Sequence, residues 1–260
     1  MTSETDWFIP QLKSDQPSLR VFTLPQAGGG CATFASAARS MGPGIDVWGL
    51  NLPGRQARFA EPARSDLYPL VEEIADAFPR FVEGPYAFVG YCSGSLLALL
   101  LTKALKERGR QLPEGLVTIS FRAPHRPSGF EQVHTLESED FWREILSYGG
   151  VPEALVSRPE YRELFEPSLR ADHALVAAYR DAPVEPLDVP ISVLGGRRDP
   201  VLGAAELLEW QRYTAAGFAL RLLDGAHWLL EEPAARLPEA IGRELRGFLA
   251  DGASGRGREA

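Results

Sequence analysis

Gly90-Tyr91-Cys92-Ser93-Gly94 places a thiol between two glycines, each two residues away. The segment follows the apolar run Tyr86–Val89 and precedes Leu96–Leu101. A strand that turns at once into a helix forces the turn residue into strained backbone angles. It also crowds the positions two before and two after, so both must be small. Gly90 and Gly94 meet that demand for Cys92. Taking Ser93 as the nucleophile would put Tyr91 and Ser95 at those places, and Tyr91 is too large. A helix opening at Ser93 aims its N-terminus at the Cys92 sulfur and favours the thiolate, the form that attacks carbonyl carbons. The plainer alternative is that Cys92 is a small buried apolar residue.

A nucleophile needs a base, and the base needs an orienting acid. His227 stands in Asp224-Gly-Ala-His-Trp-Leu229, after the run Phe218–Leu223. Asp199 stands in Gly195-Gly-Arg-Arg-Asp-Pro200, after Ile191–Leu194. Both follow the ends of strands, where open α/β sheets gather their sites. Asp-Pro is also a common turn, and Asp224 competes with Asp199 for the acid's place. His125, His134 and His173 are expected to serve surface or lid packing. A glycine-rich loop, Pro25-Gln26-Ala27-Gly28-Gly29-Gly30-Cys31, follows the first of the central strands. Its open backbone can turn N–H groups toward an oxyanion. Ala27 N–H, with Gln26 as the alternative, would act with Ser93 N–H. No Lys-Ser/Thr follows, so it is not a P-loop, and the Gly-x-Gly-x-x-Gly spacing of a dinucleotide site is missing. Cys31 is expected to be structural. No metal or bound cofactor is expected.

These residues need a sheet to converge. Strands are expected at Leu19–Leu24, Asp46–Leu50, Tyr86–Gly90, Leu116–Ser120, Pro190–Gly195 and Phe218–Leu223. Helices are expected at Cys31–Ser40, Leu67–Val82, Ser93–Arg108, Gly203–Tyr213 and Ala234–Ala250. The alternation predicts an α/β fold with a mainly parallel sheet flanked by helices. The long interval before Pro190 carries helical patterns at Ser138–Tyr148, Pro159–Glu166 and Ser168–Arg180. It reads as an inserted helical lid over residues 125–185. The core is then 18–124 and 186–250, with a loose arm at 1–17, in which Trp7-Phe8-Ile9 can dock, and a disordered tail at 251–260. The net charge of -8 argues against nucleic-acid binding, and two cysteines make no disulfide framework. The run Leu96–Leu101 is too short to span a membrane, and the polar start is unlike a secretory signal. A soluble, cytoplasmic monomer is expected.

The order nucleophile, acid, histidine is that of the α/β-hydrolase fold. Seven motifs fall in order: Pro25-Gln-Ala-Gly-Gly, Leu52-Pro-Gly-Arg55, the Cys92 turn, Ser120-Phe-Arg-Ala-Pro124, Leu169-Arg-Ala-Asp172, Gly195-Gly-x-x-Asp-Pro200 and Gly225-x-His-Trp. Together they resemble the type II thioesterases that accompany polyketide synthases and nonribosomal peptide synthetases, from about Leu19 to Leu249. The resemblance implies a stand-alone enzyme that removes acyl groups from the phosphopantetheine arm of carrier proteins, under a mobile lid. The family usually has Gly-His-Ser-Met-Gly where this chain has Gly90-Tyr-Cys-Ser-Gly94. It usually has an aromatic residue or histidine at Gln26, and commonly an acidic residue at Arg197-Arg198.

With cysteine, acylation exchanges one thioester for another and is easily reversed. Three readings follow: a hydrolytic thioesterase, an acyl or aminoacyl transferase that shuttles between carriers, and a non-catalytic binding protein of the same fold. Phe141, Trp142, Leu146, Leu175 and Tyr179 are expected on the lid's inner face, against the acyl group. Carrier proteins are usually acidic and so is this chain, so docking needs a local basic rim, for which Arg55, Arg58, Arg122 and Arg126 are the candidates.

Overall fold

The computed structural model describes residues 6–126, 132–149, 151, 158–180 and 184–256. Seven strands form one sheet: β1 Phe8–Leu12, β2 Leu19–Leu24, β3 Ile45–Leu50, β4 Tyr86–Tyr91, β5 Leu116–Ile119, β6 Ile191–Gly196 and β7 Phe218–Leu223. Their order is β1-β3-β2-β4-β5-β6-β7. Only β1 is antiparallel, to β3. The chain has the α/β-hydrolase architecture. Strands β2 to β6 are buried along their whole length, as apolar runs covered on both faces must be. Alternate side chains leave opposite faces. Phe22, Tyr86 and Phe88 join the core under α1 (Leu67–Ala77) and α2 (Ser93–Glu107). Val21, Ala87 and Val89 pack against the segment around Phe34–Met41 on the other face.

The inserted region supplies α3 (Ser138–Ser147) and α4 (Pro159–Ala178). After β6 come α5 (Ala204–Leu208) and, last in the chain, α6 (Leu237–Arg256). Helix α6 covers the same face as Phe34–Met41. This inserted region has a small core of its own, made of Val133, Phe141, Trp142, Ile145 and Leu169. Residues 127–131, 150, 152–157 and 181–183 of the expected lid lie outside the described residues.

Several expectations need correction. The N-terminal arm is not loose throughout: among its described residues Phe8–Leu12 form β1, consistent with docking at Trp7-Phe8-Ile9, while residues 1–5 lie outside the described residues. Phe8 is fully buried, its ring 4.9 Å from Phe22 and 5.5 Å from Phe78. Pro10 hides the strand in the sequence, but at a sheet edge proline costs little. Cys31–Ser40 is not an α-helix. It is a chain of tight turns, with Ala35 N–H bonded to Ala32 O and Ala37 N–H to Phe34 O, ending in the 3-10 turn Ala38–Met41. The Thr33 hydroxyl takes the Gly30 N–H, a local bond that competes with the helical ladder. The two lid helices expected on either side of Pro167 are one, because α4 runs through that proline. Helix α6 continues to Arg256, past the expected start of the tail, since extending an anchored helix is cheap once it is nucleated. Residues 257–260 lie outside the described residues.

Candidate active site

β4 ends at Tyr91 and α2 begins at Ser93, so Cys92 is the whole turn. Its φ is 49° and its N–H is held by Ile119 O at 2.8 Å. A Cβ on Gly90 would stand 2.5 Å from Ser95 Cα, and one on Gly94 would stand 2.1 Å from the Leu24 carbonyl oxygen. No side chain fits at either place. Ser95 Cα and the Leu24 carbonyl oxygen are the atoms that restrict these two positions to glycine.

β6 and β7 deliver the other two residues to the same edge of the sheet. His227 Nδ1 lies 2.8 Å from Asp199 Oδ2. The other carboxylate oxygen, Oδ1, accepts Val201 N–H at 2.8 Å and Leu202 N–H at 3.1 Å. The Asp199 side chain is 1% exposed. Burial alone would raise its carboxyl, but the His227 bond and the two backbone bonds outweigh burial and hold it below the usual range. Asp224 is exposed and paired with Arg198, away from the imidazole. Burial pulls the His227 ring down. Hydrogen bonds to Asp199 and Cys92, together with their charges, overcome that and push it up to about 9. Ser120 Oγ donates to His227 O at 2.9 Å, and Trp228 Nε1 donates to Tyr148 O at 2.8 Å, which ties the histidine loop to the lid.

Cys92, Ser93, His227, Gln26 and Ala27 border a cavity of about 590 Å³. Ser93 N–H opens α2 and so has no partner within the helix. Ile145 of α3, Tyr148 just after it, and Leu164, Phe165, Leu169 and Val176 of α4 form much of the apolar wall. His173 also faces this cavity, and burial pushes it down to about 4. His125 packs outside it, bonded to Glu209 at 3.1 Å and stacked on Tyr213. Cys31 is buried, with its Sγ donating to Gln56 Oε1 at 2.9 Å.

The five residues expected to line the acyl site do not border this cavity. Phe141 and Trp142 fill the lid's own core, because the insertion must bury its largest aromatics within itself. Leu175 and Tyr179 pack on the core beneath α1 and α2. Leu169, His173 and Val176 of the same helix face the cavity instead, Val176 while also packing on the core that holds Leu175. Leu146 is half-buried beside Ile145, which does reach the cavity.

The basic rim is also not assembled as expected. Arg55 is buried and paired with Asp172 at 2.6 Å. Arg58 is bound to Glu61 and stacked 4.6 Å above Trp7. Both were drawn inward because each had an acidic partner close in space. Arg126 is exposed and lies 3.5 Å from Glu209. Arg122 lines a small hollow with Cys92, Val201 and His227. The sequence reading missed Asp172 as a site-adjacent residue. Its signal was the pair of motifs ending in Arg55 and Asp172, which gave no indication that they meet.

Comparisons with known proteins bear on the family to which the chain belongs. The thioesterase domain model matches residues 19–246. The gramicidin S biosynthesis protein GrsT of Aneurinibacillus migulanus is 30% identical over 244 residues, covering 94% of this chain and 95% of that protein. The RedJ thioesterase of the prodiginine pathway in Streptomyces coelicolor superposes with a TM-score of 0.80 at 30% identity, over 90% of each chain. BorB, a type II thioesterase from the borrelidin biosynthetic cluster, gives 0.79 at 27% identity, over 95% of this chain and 98% of BorB. With a family model spanning residues 19–246 and a relative 30% identical along nearly its whole length, this chain belongs to the thioesterase domain family.

Proposed function

We propose that the protein hydrolyses thioesters of acyl groups held on the phosphopantetheine of carrier proteins in polyketide or nonribosomal peptide biosynthesis, through an acyl-Cys92 intermediate. One observation carries the reading. Cys92, its His227 partner and the candidate oxyanion donors all border one apolar cavity large enough for an acyl chain. Relatives named for gramicidin S and prodiginine biosynthesis support the carrier-bound substrate.

The Cys92 proton passes to His227 on the ring nitrogen away from Asp199, and Asp199 holds the resulting imidazolium. The thiolate attacks the thioester carbonyl carbon. Its oxygen gathers negative charge beside Ala27 N–H and Ser93 N–H. The carbon–sulfur bond to pantetheine breaks, and the leaving sulfur takes the proton from His227. Water then gives a proton to His227 and attacks acyl-Cys92. The free acid leaves and Cys92 regains its proton.

The thiol itself favours a second reading, transfer to another carrier or to an amine. Acyl-Cys92 lies close in energy to the incoming thioester, so the acyl group can move on as readily as it arrived. Intact-mass analysis after incubation with acyl-carrier thioesters separates the two. A hydrolase gives acyl-Cys92 that decays to free acid at one rate, whether or not an empty carrier is present. A transferase discharges faster when the empty carrier is added, and Cys92→Ser then traps a stable ester. Labelling of Ser93 with none on Cys92 defeats both.

A further inference from the structure

The candidate oxyanion turn is held from the lid as well as from the sheet. Gly29 N–H closes the turn on Gln26 O at 2.9 Å, with Gly28 at φ +74° in its third position. Gly28 N–H then donates to Asp172 Oδ2 of α4 at 2.7 Å. Arg55 lies between them: Nη1 donates to the same Oδ2 at 2.6 Å and to Gly29 O at 3.0 Å, while Nη2 donates to Oδ1 at 2.8 Å. Both charged side chains are only 6% exposed. One helical turn earlier, Leu169 closes over Gly28. A Cβ there would stand 2.7 Å from Leu169 Cδ2. The turn that carries Ala27 N–H is thus clamped between the loop after β3 and a lid helix, by groups that take no part in the chemistry described above.

From this clamp we infer that Asp172 is a positioning residue. Seating α4 on the Gln26–Gly29 turn completes the oxyanion site, so the lid controls reactivity as well as access. The inference rests on the acyl-Cys92 reading. When α4 lifts, Gly28 N–H loses its acceptor and Arg55 loses its counter-charge. The turn is then free to rearrange, because a glycine in its third position allows more than one turn geometry. Cys92 and His227 sit on the sheet side, where Ser120 Oγ holds the His227 carbonyl at 2.9 Å, so they keep their contact even when the Trp228–Tyr148 bond to the lid is lost. The lid-open enzyme therefore holds a competent nucleophile beside an incomplete oxyanion site. An acyl group that fills the cavity against Leu169 and Val176 would draw the helix down and switch on its own cleavage.

Alkylation and acylation of Cys92 distinguish this role from plain structural support. Iodoacetamide needs the nucleophile but no oxyanion donor, whereas p-nitrophenyl acetate needs both. Both reactions are read by mass on the Cys92 peptide, which leaves Cys31 out of the count. Asp172→Asn keeps one oxygen acceptor. The pair Arg55→Met with Asp172→Leu removes both charges, keeps the volume and protects the fold. In the double variant acylation should slow about a hundred-fold, the scale of losing one oxyanion donor, with alkylation unchanged. Asp172→Asn should fall between it and the wild type. Hydrogen exchange should quicken at Gly28 and along residues 168–176 in both variants. Equal acylation in all three proteins overturns the inference alone, and so does an equal fall in both reactions. A wild type that is alkylated at Cys92 but acylated by no ester or thioester overturns the acyl-enzyme reading and takes this inference with it.

Discussion

His227 Nδ1 is bonded to Asp199 Oδ2 at 2.8 Å, and that carboxylate is fixed through its other oxygen by two backbone N–H groups. The carboxylate is therefore oriented before any substrate arrives. Asp199→Asn should lower kcat by roughly three to four orders of magnitude, since the amide supports the wrong tautomer of the ring. Asp224→Asn should leave kcat near wild type, because Asp224 faces solvent beside Arg198. Steady-state kinetics on an N-acetylcysteamine thioester decides. A dead Asp224→Asn with an active Asp199→Asn would reverse the assignment.

The raised His227 has a consequence for stability. Its folded value of about 9 lies above the 6.5 of the unfolded chain. Between those pH values the native state keeps a proton that the unfolded state has released. The stabilisation is complete below about pH 6.5 and is lost as the pH rises through 9, with a ceiling of roughly 3 kcal/mol. The Tm of wild type should thus drop more than that of His227→Gln across this window. An NMR titration of the ring should also show a lower value in Cys92→Ser, because the Cys92 sulfur is one of the groups that hold the proton.

Phe141 and Val176 should respond in different ways. Phe141 is fully buried in the lid core, so Phe141→Ala should destabilise the lid by about 3 to 5 kcal/mol and leave acyl-chain preference intact in whatever folded enzyme remains. Val176 borders the cavity, so Val176→Trp should lower kcat/KM for long acyl thioesters more than for acetyl. The checks are thermal melts and a chain-length series. A change of chain preference in Phe141→Ala would place that ring back against the substrate.

Charge reversal separates the two kinds of arginine. Arg55→Glu buries two carboxylates against each other and should cost at least about 3 to 5 kcal/mol in stability, whatever the substrate. Arg126 is 54% exposed, so Arg126→Glu should spare folding. If it helps dock an acidic carrier, this variant raises KM for the carrier-borne thioester and not for a small soluble one. Equal KM changes on both substrates would remove Arg126 from docking.

Much of the architecture was legible in the chain, since central parallel strands are written as continuous apolar runs and Gly90-x-Cys-x-Gly94 tolerates only one frame. The positions of Asp199 and His227 followed from the same rule, because each stands just past a strand that the sheet carries to one edge. The edge strand Phe8–Leu12 was not legible. Its proline and polar residues are permitted only because it has a single neighbour, which no local pattern reveals. Helical periodicity placed the helices inserted between β5 and β6, but not which side of each would face the cavity. That depends on whether Phe141 and Leu175 find partners in the lid or on the sheet, a choice made by packing between distant segments. The Arg55–Asp172 clamp is the clearest case. Its members stand 117 residues apart, one expected on a docking rim and the other noted only as the end of a short motif. Only the folded chain brings them together, because a buried charge is tolerable once an opposite charge and hydrogen bonds surround it, and that condition belongs to the tertiary structure.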